Sequence, residues 1–349
     1  MSRVVSFLIA FLIFSIVILF HELGHFLLAK KNGIRVNEFS FGLGPTLFGV
    51  QKGETKYSVK LLPFGGACMM EGEDEESTDE RAFGKKSVWA RISVVFAGPF
   101  FNFILAFVFS FVLLCFMGYY KPVLTDVTPG YAAEEAGMQA GDEIIKMNHF
   151  SIHFSKEVSA YSMFHAGEEV QITYLRDGKK YTTTLTPKLD EETGRYLYGF
   201  QYSGERIRGN VFTNLKCSFY EVRYWIYTTV QSLRMLVTGQ VSVNELSGPV
   251  GIVKNIGDTY QESVSDSGYF YAFINMLNWT ILLSANLGVM NLLPIPALDG
   301  GRLVFLIVEA IRRKRIDPNK EGMVHLVGML LLFALMFVVM FNDIRKLFI

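Results

Sequence analysis

VVSFLIAFLIFSIVILFHELGHFLLAKK, from Val4 to Lys31, is the stretch on which the reading of this chain turns. From Val4 to Phe20 only Ser6 and Ser15 interrupt the apolar run, which resumes after His21-Glu22-Leu23-Gly24-His25 and reaches Ala29 before Lys30 and Lys31. About 20 such residues cross a bilayer as a helix. The run exceeds the roughly 7–15 apolar residues of a secretory signal, and no small-x-small cleavage site follows it, so it reads as a span rather than a removed leader. Within it lies the pattern HExxH. Helical positions four apart share a face, so His21 and His25 can reach one Zn2+, while Glu22 sits where it can take a proton from the metal-bound water. Ionisable groups at hydrocarbon depth are rare and normally functional. Phe26 to Ala29 separate the motif from Lys30, which argues against side chains merely reaching for the interface.

Working outward, three more charge-free stretches can span: Ile92 to Met117, Ser267 to Leu298 and Gly322 to Asn342. The 50% hydrophobic content of the 349 residues is thus gathered in part into four blocks long enough to cross a bilayer. Between Lys216 and Val237, Glu221, Arg223 and Arg234 interrupt the apolar residues, which suits an amphipathic helix on the membrane surface better than a span. Charge excludes other classes. With 33 Lys+Arg against 33 Asp+Glu there is no basic excess for a general nucleic-acid binder, and neither a nucleic-acid nor a nucleotide partner is expected. Cys68, Cys115 and Cys217 form no disulfide framework and no Cys-x-x-Cys pair.

Basic residues cluster beside some helix ends and not others. Lys30, Lys31, Lys85, Lys86 and Arg91 flank the first two spans on one side, and Arg312, Arg313, Lys314 and Arg315 lie between the last two. After Met117 and before Phe270, only Lys121 and Lys254 stand close. The positive-inside bias then places both basic loops in the cytoplasm and the large central segment outside. In the first loop, Glu38 to Pro45 and Tyr57 to Gly66 read as short strands with tight turns, expected against the membrane. Glu71 to Glu80 carries seven acids in ten residues, a composition expected of a solvated flexible loop.

A catalytic zinc usually takes three protein ligands and keeps one open position. The carboxylate best placed to complete the set is Asp299, in Asn291-Leu-Leu-Pro294-Ile-Pro296-Ala-Leu-Asp299-Gly300-Gly301. Pro294 and Pro296 break the third span, and broken backbone at membrane depth persists only where it is buried in protein or lines a watery cavity. Asp299 as the N-cap of a helix from Arg302 to Ala310 is the competing assignment. His149, His153 and His165 fall on the far side by the charge count, and His325 is expected at an interface.

HELGH in the first span together with NLLPIPALDGG at the end of the third resembles the site-2 proteases, intramembrane zinc metalloproteases, and in particular their bacterial RseP-type branch. Phe96 to Phe103 (FAGPFFNF) is similar to that family's second-span Gly-Pro-Phe-x-Asn segment, and Leu246 to Ile252 (LSGPVGI) to the segment before its third span. Val127 to Asn148 resembles the PDZ domains of bacterial proteases, with Tyr198, Gly199 and Phe200 as the corresponding peptide loop or else an ordinary turn. The resemblance implies Zn2+ held by His21, His25 and Asp299, with Glu22 as general base. It implies Asn286 and Asn291 as contacts to substrate backbone; interhelical hydrogen bonding is the other role open to them. A substrate strand is expected to pair with a β edge near Tyr57 to Gly66, including Phe64, Gly65 and Gly66. The implied substrates are membrane-spanning proteins, either anti-sigma factors already trimmed outside or remnant signal peptides.

The expected architecture is a polytopic α-helical membrane protein with about four transmembrane helices, membrane-associated β elements and an extracytoplasmic α+β PDZ-like domain. Its parts are a first helix with HExxH over 1–30, a cytoplasmic-side β and loop segment over 31–91 and a second helix over 92–118. The PDZ-like domain follows over 122–203, then an amphipathic membrane-surface segment over 209–266. A third helix with a broken end over 267–310 and a fourth over 322–342 complete it. The expected location is the inner (plasma) membrane, with the lipid bilayer as partner and the active site toward the cytoplasm. A metal transporter, which would show helix repeats and a polar path, and a PDZ-bearing scaffold indifferent to loss of the ligands are the rival classes.

Overall fold

In hydrocarbon every backbone N–H and C=O has to be satisfied inside its own segment, so the charge-free runs form helices. The computed structural model describes residues 3–73, 77–202, 206–242 and 247–348. Leu246 and Asp74 to Glu76 therefore lie outside the described residues, as do the side chains of Pro63 and Phe64. Four described helices are long and apolar enough to cross a membrane, over Val4–Lys31, Val88–Met117, Tyr269–Asn291 and Lys320–Lys346. The chain divides into two compact units, Met1–Phe109 with Arg234–Ile349, and Ser110–Leu233.

The first unit begins with α1 (Arg3–Lys31) and a long hairpin, β1 (Val36–Lys52) and β2 (Thr55–Met70). Each strand serves twice. Residues 38–41 of β1 pair with Met69 down to Gly66 on one side and with Lys56 up to Val59 on the other. The far half of β1, from Thr46 to Lys52, pairs with the opposite face of Lys60 to Thr55. Both strands therefore bend in the middle, where Gly42 (φ 86°) and Gly65 (φ 89°) supply backbone that other residues rarely adopt. This corrects one expectation in part: Tyr57 to Val59 have partners on both sides, so the strand segments with an unpaired edge are Thr46 to Lys52 and Gly66 to Met70, and of the expected stretch only its end, Gly66, lies on such an edge. The acid run is also less free than its composition implies. Glu71 accepts from Asn37 at 2.8 Å, Asp79 pairs with Arg35 at 3.2 Å, and Glu73 pairs with Arg302.

After α2 (Val88–Met117) the chain enters the second unit, with β3 (Tyr119–Tyr120), β4 (Asp126–Val127), α3 (Ala132–Glu135), β5 (Glu143–Met147) and β6 (Phe150–Ser151). Next come α4 (Ser155–Phe164), β7 (Val170–Arg176), β8 (Lys179–Leu185), β9 (Lys188–Asp190), β10 (Arg195–Leu197), β11 (Phe200–Gln201), β12 (Arg206–Ile207) and α5 (Val211–Val237). A four-stranded sheet, ordered β6-β5-β7-β8, closes over Leu124, Ile144, Met147, Val158, Ile172 and Leu185. The β7–β8 turn is Asp177-Gly178, both at positive φ, which matches the right-handed twist of the strands it joins. The start of α5 is docked here through polar groups: Arg223 donates to the buried Glu157, Lys156 pairs with Glu221, and His153 stacks on Tyr220.

Returning to the first unit, α6 (Pro249–Ser267), α7 (Tyr269–Asn291), α8 (Asp299–Arg312) and α9 (Pro318–Phe348) complete the chain. Instead of lying alone on a surface, α6 packs against α1 and α7; Ser6 of α1 meets Gly257 where a side chain would collide, and Ala10, Ile13 and Ile256 are buried beside them. Its N-terminus is satisfied from α9, where Asp343 accepts the N–H groups of Gly248 (3.1 Å) and Gly251 (2.8 Å). As the two prolines require, α7 ends at Asn291 and helix resumes only at Asp299.

Candidate metal centre

Packing between α1 and α2 is close because small residues face each other, and this builds the floor of the site. A Cβ on Gly24 would strike the Ala97 carbonyl, and one on Gly98 would strike both the His21 and His25 rings. Small residues at such crossings let membrane helices approach. Pro99 lies inside α2 and removes the N–H that would bond the Val95 carbonyl, and Val95 is on the cavity wall. His25 Nδ1 lies 2.9 Å from the Val94 carbonyl, so its proton sits there and Nε2 faces inward. His21 Nδ1 lies 3.2 Å from the amide of Asn102.

Asp299 reaches the same place from the other end of the first unit. Leu298 is the cap residue and Asp299 the first residue of α8; its carboxylate makes no cap bond, which removes the N-cap assignment. The two glycines that follow are needed for space, since Gly300 abuts the Leu292 and Leu293 carbonyls and Gly301 abuts Ile295. The loop is held from behind by His325, whose Nδ1 accepts the Ala297 N–H at 2.9 Å, with Ala297 itself at φ 78°. His325 is thus a brace for the loop that carries Asp299.

Three donor atoms converge. His21 Nε2 and His25 Nε2 are 3.2 Å apart, and Asp299 Oδ2 lies 3.1 Å from the first and 3.5 Å from the second. Zinc bonds of about 2.0–2.1 Å in a tetrahedron require ligand separations of about 3.3–3.4 Å. Apart from its approach to the two imidazoles, Asp299 Oδ2 is buried with no hydrogen-bond partner among the described residues. Two imidazoles and one carboxylate at these separations therefore fit the three protein ligands of a catalytic zinc. They open on a cavity of about 420 Å3 that Glu22 and Asn291 also line.

The remaining expected residues divide. Asn291 Nδ2 lies 3.4 Å from His21 Nε2, whereas Asn286, more than a turn earlier on α7, is not on the cavity wall. Gly66 lines the cavity, and a Cβ there would lie 3.0 Å from Glu22 Cγ; Gly65 faces Leu43 instead. The β wall continues through Ala67, Cys68, Met69 and Met70, which sequence reasoning did not single out. Phe64 lies within β2, its side chain outside the described set. In the second unit, Gly199 (φ 81°) packs on Tyr131, and the Tyr198 and Gly199 carbonyls accept N–H groups of Ala133 and Thr128, while Phe200 pairs with Val127. At the cavity rim Arg302 pairs with Glu73, a contact no local pattern announces.

Comparison with known proteins agrees with this geometry. A putative zinc metalloprotease of Clostridium acetobutylicum is 38% identical over 340 residues, covering 97% of each chain. The zinc metalloprotease RasP of Geobacillus kaustophilus is 32% identical over 429 aligned positions, covering 100% of this chain and 99% of its own. A PDZ domain of an SdrC-like protein from Listeria monocytogenes matches 24% of this chain and 86% of its own at 22% identity, with a TM-score of 0.20 that carries no weight for the fold. The model of peptidase family M50 matches residues 9–335. Coverage this complete, by a family of zinc metalloproteases, leaves the assignment plain: the chain is a membrane enzyme of peptidase family M50, the site-2 proteases.

Proposed function

We propose that this enzyme cleaves peptide bonds inside the membrane-spanning segments of single-span proteins. The observation that carries this reading is the convergence of His21, His25 and Asp299 beside Glu22 on a helix apolar enough to cross the membrane. His21, His25 and Asp299 would hold a zinc ion, which when bound would polarise the scissile carbonyl and lower the pKa of a water. The Glu22 carboxylate, on the cavity wall, would accept a proton from the attacking water and return it to the leaving amine. Asn291, on the cavity wall, donates from Nδ2 to a substrate carbonyl.

A substrate helix has its carbonyls bonded internally and must unwind before it can be cut. The unpaired edge Gly66 to Met70 runs along the cavity, and strand addition there replaces the hydrogen bonds the substrate gives up. Glu22 stands about eight residues before Lys30, or about 12 Å at the helical rise, which puts cleavage in the cytoplasmic half of the bilayer. The basic clusters on residues 30–91 and 302–320 support a plasma-membrane orientation with the second unit outside, where it acts as a PDZ-like domain. Anti-sigma factors trimmed outside, or remnant signal peptides, are the substrates this placement suits.

The test is cleavage of a single-span substrate by the full chain in liposomes. Glu22→Gln is expected to abolish cleavage and keep zinc; full activity in that variant would overturn the proposal.

A further inference from the structure

An imidazole whose Nε2 faces a metal carries its proton on Nδ1, and the group opposite Nδ1 decides whether that tautomer is favoured. For His25 the opposite group is the Val94 carbonyl, a pure acceptor. For His21 it is the side chain of Asn102, eight residues further along α2 and fully buried. Its Nδ2 stands 3.2 Å from His21 Nδ1, while its Oδ1 is buried without a partner among the described residues. With the NH2 group toward Nδ1, the His21 proton belongs on Nε2, facing His25 Nε2 at 3.2 Å and close to Asp299 Oδ2 at 3.1 Å. That arrangement suits the three side chains alone and occupies the nitrogen a metal needs. A half-turn of the planar amide exchanges its ends with almost no change of shape. It brings the unpartnered Oδ1 to Nδ1 as an acceptor. Ser284 of α7 donates to the Asn102 backbone carbonyl at 2.8 Å and so anchors the residue from a third helix.

Resting on the metal reading above, we propose that Asn102 is a positioning residue for His21: its amide oxygen accepts the Nδ1 proton and so leaves Nε2 free for zinc. Val94 and Asn102, eight apart on one helix, then do the same for His25 and His21, with Gly98 between them leaving room for both rings.

The test measures zinc affinity of the full chain in detergent by chelator competition, comparing Asn102→Leu with Asn102→Asp. Loss of an outer hydrogen-bond partner typically costs about 10–100-fold in metal affinity, and that loss is expected for Asn102→Leu. Asn102→Asp keeps an acceptor at Nδ1 and is expected to stay close to the unmodified chain. A packing role predicts the reverse order, because leucine fills the space and aspartate buries a charge. Unmodified affinity in Asn102→Leu, or equal loss in both variants, would overturn the inference. An unmodified chain that takes up no zinc overturns the metal reading as well, which separates the two failures. A measurement that needs no folded variant is the proton spectrum of the zinc-loaded chain carrying 15N-histidine. A His21 Nδ1–H signal shifted downfield by a hydrogen bond is expected, and an unshifted one counts against the proposal.

Discussion

Gly98 lies directly beneath His25: a single methyl group at position 98 would overlap the imidazole Nε2 and come within 2.8 Å of His21 Cε1. The close approach of α2 to the HExxH turn is therefore part of the candidate site. Gly98→Ala is expected to displace the rings and reduce zinc affinity by about 10-fold or more, as loss of a supporting contact does elsewhere. Zinc content after dialysis checks this, and helix content by circular dichroism should stay near that of the unmodified chain.

Gly66 separates two roles. A Cβ there would lie 3.0 Å from Glu22 Cγ and 3.1 Å from the Ser40 carbonyl, so Gly66→Ala presses on the proposed general base and on the strand beside the cavity. His21, His25 and Asp299, the proposed metal ligands, are not among the nearest contacts of that Cβ. Cleavage is expected to fall by about 10-fold or more while zinc content is retained, since a displacement near 1 Å at a reacting group can cost 100-fold. Parallel assays of metal content and peptide release decide it; loss of zinc would show that the strand supports the metal site instead.

Glu157 sets a pH dependence in the second unit. Burial by itself raises its carboxyl pKa, but bonds from His153 and from the Arg223 guanidinium outweigh it and hold the group below its ordinary value. The unfolded chain therefore takes up the proton first as pH falls. Stabilisation by this group is complete above the unfolded value of about 4.3 and is lost as pH drops through the lower folded value. Urea unfolding of the full chain followed by fluorescence should show that acid slope, and Glu157→Gln should flatten it.

Asp343 joins the end of α9 to the start of α6. It is 4% exposed and accepts two N–H groups that have no partner within α6. Asp343→Ala is expected to cost roughly 1–3 kcal/mol, the penalty for leaving buried donors unsatisfied. Thermal unfolding in detergent measures it. Gly251→Ala should destabilise in the same direction, because its Cβ would come within 3.1 Å of that carboxylate.

Local patterns carried the helices and the ligand set. The apolar runs, the four-residue spacing of His21 and His25, and the prolines before Asp299 each act over a few residues, so they are visible in order along the chain. The double pairing of β1 and β2 was not legible. Which half of a bent strand meets which depends on two glycine bends and on long-range register, and this put Gly66–Met70, rather than the whole of Tyr57–Gly66, on the unpaired edge that lines the cavity. The same holds for Glu73 with Arg302, where a run of acids reads as solvent-facing until a distant arginine closes on one of them.

By itself, the sequence determined that this is a multi-span membrane enzyme with a His-Glu-His helix and a distant aspartate available to a metal. Those properties follow from hydrophobicity, helical period and the scarcity of ionisable groups in hydrocarbon. Only the tertiary structure decided that Val94, Gly98 and Asn102 form one stripe of α2 beneath the two histidines, and that His325 braces the loop bearing Asp299. Contacts of that kind join residues 28 to 81 positions apart, and no local periodicity encodes which face of one buried helix will meet which face of another.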